Sequence, residues 1–141
     1  MPRIKLELPQ RFQFSTELTI RISDINYGGH LGNDAVLSLA HEARVRFLKQ
    51  YGYSELDIEG ASIIMSDAVV VYKSEGFYGD TVVVDVAVSD FQNVHCDFYY
   101  RLSNKETGAE IARVKTGIAF YDYSAKKTIA VPSKFSDKFI E

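Results

Sequence analysis

The densest set of chemically capable side chains lies in one short stretch, Asp24-Ile25-Asn26-Tyr27-Gly28-Gly29-His30-Leu31-Gly32-Asn33-Asp34. It combines carboxylates, amides, an imidazole and a phenol with three glycines, so it must be a loop. A helical apolar period begins directly after it. Free backbone N–H groups at a helix start can donate to a carbonyl oxygen and stabilise it as it becomes an oxyanion. Glycines let the backbone approach a ligand closely. A carboxylate or imidazole beside that carbonyl can activate water or attack directly. These are the parts needed for acyl transfer. The same residues would also serve as a tight turn with a structural histidine.

The elements around the loop follow from the periodicity. Phe12, Phe14, Thr16, Leu18, Ile20 and Ile22 alternate with polar residues, which predicts one long strand with a wet face. Beyond the loop, Val36, Ala40, Ala43, Phe47 and Tyr51 form one helical stripe, widened by Leu37, Leu39 and Leu48. Such a helix is expected to be mostly surrounded, with Asn33 as N-cap, Asp34 at the positive end of its dipole and Gly52 closing it. Ile63 to Ser74 is apolar on both faces around Val69-Val70-Val71, which predicts a central strand. Val82 to Val88 and Val94 to Leu102 alternate cleanly, with Phe91-Gln92-Asn93 as their turn. Ala112 to Phe120 gives a further strand, Ile129 to Val131 a short last one, and Ser133 starts a terminal helix that packs Phe135 and Phe139. Strand, one apolar helix, then four or five antiparallel strands predicts an α+β roll whose sheet curls round the helix. A cone-shaped helix-plus-sheet fold usually opens with helices, and this chain opens with a strand.

Composition sets the bounds. The chain has 141 residues, suited to a single domain spanning 1–141. Its net charge of −3 disfavours nucleic acid as the main partner. The one cysteine, Cys96, excludes an intramolecular disulfide and points to a reducing compartment. It alternates with Val94 and Phe98 and is expected in the core. No apolar run approaches a membrane span and no secretion signal opens the chain, so the expected location is cytoplasmic. His30, His41 and His95 have no metal-ligand spacing, so no metal is expected.

The loop, followed by His41-Glu42-Ala43-Arg44 in the helix, resembles the signature of the 4-hydroxybenzoyl-CoA thioesterase-like hotdog family. That signature reads approximately Asp-x-Asp-x-x-Gly-His-x-x-Asn, then a helix with Glu-Ala-Arg near its middle. Tyr72 to Asp80, Thr107-Gly108 and Pro132 extend the resemblance to roughly Thr19–Pro132. It implies a hotdog fold, a curled antiparallel sheet wrapped round one long central helix, assembled as homodimers or homotetramers with sites between chains. It implies hydrolysis of acyl-CoA or acyl carrier protein thioesters, with no cofactor because water is the second substrate. Candidate catalytic residues are Asp24, Asn26, His30, Asn33 and Glu42, and candidate substrate-binding residues are Tyr27, Gly28, Gly29 and Tyr72. Asn33 stands where relatives offer the backbone N–H that polarises the thioester carbonyl.

One departure matters. The family's usual catalytic carboxylate, four positions before the histidine, is here Asn26. An amide can hold water or substrate but cannot act as a base at neutral pH. Asp24 and Glu42 are then the carboxylates within reach of the loop, although Glu42 could simply pair with Arg46 one turn on. A non-catalytic acyl-thioester binding protein of the same fold is the alternative. A hotdog hydratase wants a paired Asp and His in a different loop. Asp67, inside an apolar strand, is a further candidate base if burial raises its pKa. Arg101, Lys105, Lys126 and Lys127 are the candidates for local contacts to CoA phosphates.

Overall fold

The computed structural model describes residues 3–140. Strand β1 (Phe14–Thr19) leads through a 3-10 turn (Ile22–Asp24) and the glycine loop into helix α1 (Asn33–Gln50). Strands β2 (Ser62–Tyr72), β3 (Thr81–Ser89), β4 (His95–Asn104) and β5 (Glu110–Asp122) follow, then the two-residue β6 (Lys127–Thr128) and a short α2 (Ser133–Ser136). All pairings are antiparallel, in the order β1-β3-β4-β5-β2, with β6 also on β5. The result is the expected α+β class, one curled sheet around one main helix.

The core is the sheet's inner face against one side of α1. Val82, Val84, Val86, Cys96, Phe98, Tyr100, Leu102, Val114 and Phe120 are all fully buried. Ala40 and Ala43 have no accessible surface, and their small side chains let α1 lie close to the sheet. Phe47 stacks on Phe14 and meets Phe98 and Phe139 edge-on or tilted. Burial of Phe135 and Phe139 ties the terminal segment to this core as expected. Gly52, at φ +79, ends α1: its N–H donates to Lys49 O, and Tyr53 N–H donates to Leu48 O.

One polar network crosses from helix to sheet. The buried Arg44 donates through Nε to Glu55 Oε2 (3.0 Å) and through Nη1 to the Tyr100 hydroxyl (3.0 Å), which also meets Thr116 Oγ1 at 2.7 Å. His41 Nε2 lies 2.8 Å from Glu55 Oε1. Burial works against the Arg44 charge, but Tyr100 and Glu55 outweigh it and raise its pKa. For Glu55, burial pushes the pKa up. Its hydrogen bond to His41 and the charge of Arg44 outweigh that and hold it below the ordinary carboxylate value. A buried polar network is tolerable only when its members are paired, and no buried side-chain N or O among the described residues lacks a partner.

Five expectations need correction. The first strand is shorter than its alternation, and Ile22 is 71% exposed. Asp24 Oδ2 takes the Arg21 N–H at 2.8 Å, which turns the chain out of the ladder. The N-cap of α1 is Gly32, and Asn33 is its first helical residue. The helix is not surrounded: His41, Glu42, Val45, Arg46 and Lys49 leave its far side open in the single chain. Strand β2 is not central but an edge, and Met65 through Ala68 are exposed. A run apolar on both faces signals cover from above and below and says nothing about pairing along the strand's side. Finally, Ile129–Val131 is no strand, although Ile129 N–H and Val131 N–H donate to Phe120 O and Asn93 O. No helix among the described residues is long and apolar enough to cross a membrane.

Candidate active site

Backbone pairing holds the glycine loop shut. Asn26 N–H donates to His30 O (2.8 Å), Gly29 N–H to Asn26 O (3.1 Å) and Gly32 N–H to Asp24 O (2.9 Å). The Asn26 side-chain oxygen accepts from Gly28 N–H (2.9 Å) and His30 N–H (3.2 Å). Asn26 therefore organises the turn with its oxygen, an Asx arrangement. Gly29 at φ +84 occupies the left-handed region that such a tight turn requires. The loop ends at Gly32, and the Asn33 N–H is a first-turn donor that no helical carbonyl can satisfy.

The loop then docks on the segment after β2. Leu31 N–H donates to Gly76 O at 2.8 Å. Gly76 is buried although its neighbours are exposed. A Cβ there would lie 2.9 Å from Ile20 Cδ1 and 3.3 Å from Leu31 Cβ, so glycine is what permits the close approach. The approach sets Glu75 and Phe77 around His30. Its Nδ1 lies 3.3 Å from Glu75 Oε1, and its ring packs edge-on against Phe77 at 5.4 Å. Tyr72 donates its hydroxyl to Asn33 O at 3.0 Å, tying β2 to the helix start.

A cavity of about 300 Å³ opens at this junction, and its walls include Asn26, His30, Asn33, Tyr72, Glu75 and Val36. It joins an imidazole, an amide, a carboxylate and a helix N-terminus, a set that can hold a carbonyl, polarise it and deliver water. A larger cleft of about 440 Å³, beside Pro9, Arg11 and Phe91, contains none of the loop residues.

The other candidates lie elsewhere. Asp24 is buried with its carboxylate engaged by Arg21, and with Glu42 it lines a separate cavity of about 360 Å³. Glu42 pairs with Arg46 Nε at 3.0 Å, and Arg46 also donates to Thr16 Oγ1 and Glu17 O. Tyr27 is fully exposed. Gly28 and Gly29 shape the turn. Asp67 is exposed, and the hydrogen bond from Lys115 (2.7 Å) holds its pKa below the ordinary value, so burial does not make it a base. Cys96 is buried, and burial pushes its thiol pKa well up, as suits a core residue. Arg101 is paired with Asp85, and Lys105 with Glu17. Lys126 and Lys127 are exposed. No group of three or more His, Cys, Asp or Glu among the described residues could hold a metal ion.

Glu75, Gly76 and Phe77 stand out in the sequence only as part of the Tyr72–Asp80 stretch, with no role of their own. The available signal was a glycine between a charged and an aromatic residue, which marks a close backbone approach. It does not say to what.

The sequence profile of the thioesterase-like superfamily matches residues 20–139. No curated protein matches the chain. Among solved structures, a 1,4-dihydroxy-2-naphthoyl-CoA thioesterase from Synechocystis is similar with a TM-score of 0.81 at 18% identity. The match covers 89% of this chain and 94% of that one. A thioesterase superfamily protein from Jannaschia sp. CCS1 gives 0.82 at 15% identity, covering 93% and 83%. A DHNA-CoA thioesterase from Staphylococcus aureus gives 0.76 at 22% identity, covering 88% and 84%. At these identities the likeness establishes a shared hotdog fold.

Proposed function

The chain belongs to the thioesterase-like superfamily, and from that premise we propose that it hydrolyses acyl-CoA or acyl carrier protein thioesters to free acid and thiol. The observation that carries the reading is the convergence of Asn26, His30 and the start of α1 on one cavity. The Asn33 N–H polarises the thioester carbonyl, and His30 and Asn26 hold thioester and water. A preorganised donor of this kind is worth about 10²–10³-fold in kcat. Tyr72 braces the helix start at Asn33 O. Gly28 and Gly29 serve the site through the turn that sets Asn26 and His30 at the cavity, with Tyr27 exposed on the same turn. Water is the second substrate, with no cofactor, and the cytoplasm keeps the lone thiol reduced.

The uncovered edge of β2 and the open side of α1 suit a homodimer or homotetramer. Glu42 lies on that open side, where it would act only toward a second chain's loop, and Asp24 supports its own loop from behind.

Asn26 favours a second reading, an acyl-thioester binding protein without turnover. Mixing the protein with a panel of acyl-CoAs and acyl carrier protein thioesters, while following free thiol release and binding, separates the two. Thiol release is expected. Binding with no release across the panel establishes the second reading.

A further inference from the structure

We propose that Glu75 is a positioning residue that orients His30, so that the imidazole's Nε2 is the base that activates water. The inference rests on the hydrolytic reading above. It starts from a gap: the usual carboxylate position is Asn26, whose side-chain oxygen is committed to the Gly28 and His30 N–H groups. Asp24 and Glu42 line a different cavity. The carboxylate that does share the cavity with His30 and Asn33 is Glu75.

His30 is held on every side that matters. Asn26 grips its backbone N–H and donates to its carbonyl. Leu31, the next residue, is pinned to Gly76 O. Gly76 carries Glu75 and Phe77 to the imidazole, one at Nδ1 and the other against the ring. The Nδ1–Oε1 approach of 3.3 Å is an ion-pair contact that falls short of hydrogen-bond geometry in the free chain, and catalytic contacts of this kind often tighten when substrate fills the site. Both side chains are more than a third exposed (41% and 61%), so the pair adds little to folding. Its consequence is the tautomer. A carboxylate at Nδ1 keeps the proton there and leaves Nε2 with its lone pair.

The chemistry balances without any further reactant. A water O–H bond breaks as its oxygen bonds to the thioester carbon, and the proton passes to Nε2. The oxyanion rests on the Asn33 N–H. As it collapses the C–S bond breaks, and the departing thiolate takes the proton from Nε2. Glu75 keeps its charge throughout and steadies the transient imidazolium.

Two readouts on the full chain test this. The first is long-range ¹⁵N–¹H NMR of histidine-labelled protein at alkaline pH. His30 is expected to carry its proton on Nδ1 in the wild type and in Glu75→Gln, which retains an acceptor oxygen. In Glu75→Leu it should revert toward the Nε2–H form. A wild-type His30 protonated on Nε2 overturns the proposal. The second readout is steady-state thiol release. Glu75→Leu should lower kcat about 10–100-fold with KM within about threefold, and Glu75→Gln should fall less. His30→Ala should lose about 10²–10⁴-fold, partly restored by added imidazole. Unchanged kcat in Glu75→Leu, or an effect on KM alone, overturns it. Should the wild type cleave no thioester while His30 still shows the Nδ1–H tautomer, hydrolysis is the claim that fails, and the Glu75–His30 contact stands.

Discussion

Gly76→Ala is the sharpest probe of how the fold serves the site. The added methyl would lie 2.9 Å from Ile20 Cδ1, 3.3 Å from Leu31 Cβ and 3.4 Å from Leu31 Cδ2. Carbon atoms prefer about 3.5–4.0 Å, so something must give by roughly 0.6–1 Å. The nearest atom is the end of the Ile20 side chain, which full burial leaves little room to turn, and Leu31 Cβ, close to its own backbone, must also give by a few tenths of an ångström. Inserting a methyl into a packed site costs about 1–3 kcal/mol. Against this, removing a glycine stiffens the unfolded chain and returns about 0.4–1 kcal/mol where the backbone is compatible. The clash wins, for a net loss of about 1–2 kcal/mol, or roughly 3–7 °C in Tm for a chain of this length. The larger effect is expected in function. The 73–77 segment separates from the loop, Glu75 and Phe77 leave His30, and a displacement near 1 Å can cost about 10²-fold in rate. The assay is thermal unfolding by circular dichroism beside thiol release. A Gly76→Ala protein with unchanged Tm and unchanged kcat refutes the claim that this close approach positions the site.

Two further outcomes follow from the geometry. Asn26→Ala strips the acceptor from two loop N–H groups and should lower turnover at least tenfold, whereas Asn26→Asp keeps an acceptor for both, supplies the family's usual carboxylate and should match or exceed wild-type kcat. An inactive Asn26→Asp beside a fully active Glu42→Gln would eliminate both of those carboxylate positions. Glu55→Gln removes the anion facing buried Arg44 while keeping an acceptor oxygen, and should cost about 1–3 kcal/mol near pH 7, read by urea unfolding. Because the folded-state pKa of Glu55 is depressed, its contribution is full above the unfolded value of about 4.3 and is lost as pH falls through the folded value. The gap between wild type and variant should therefore close in acid, and a gap that persists there would contradict the assignment.

Features that depend on neighbours along the chain are legible in the residues alone. The period change at the loop located α1, the valine alternation placed β3, and the Cys96-Phe98-Tyr100 alternation put one face of β4 in the core. Three glycines among Asp24, Asn26, His30 and Asn33 marked the loop that reaches the cavity, because turn chemistry is local. What the periodicity could not decide is which elements become neighbours in space. Val69-Val70-Val71 read as a central strand, yet β2 pairs on one side alone, since side-chain pattern records cover above and below and not hydrogen-bonding partners. Arg44 lies on the apolar stripe, four residues from Ala40 and four from Leu48, and only Tyr100 and Glu55, brought in by the tertiary fold, make a charge there tolerable. Glu75 is one acid among many in the sequence. It became a candidate because a buried glycine beside it lets two backbones touch, and that contact exists only once Ile20, Leu31 and Gly76 have packed together.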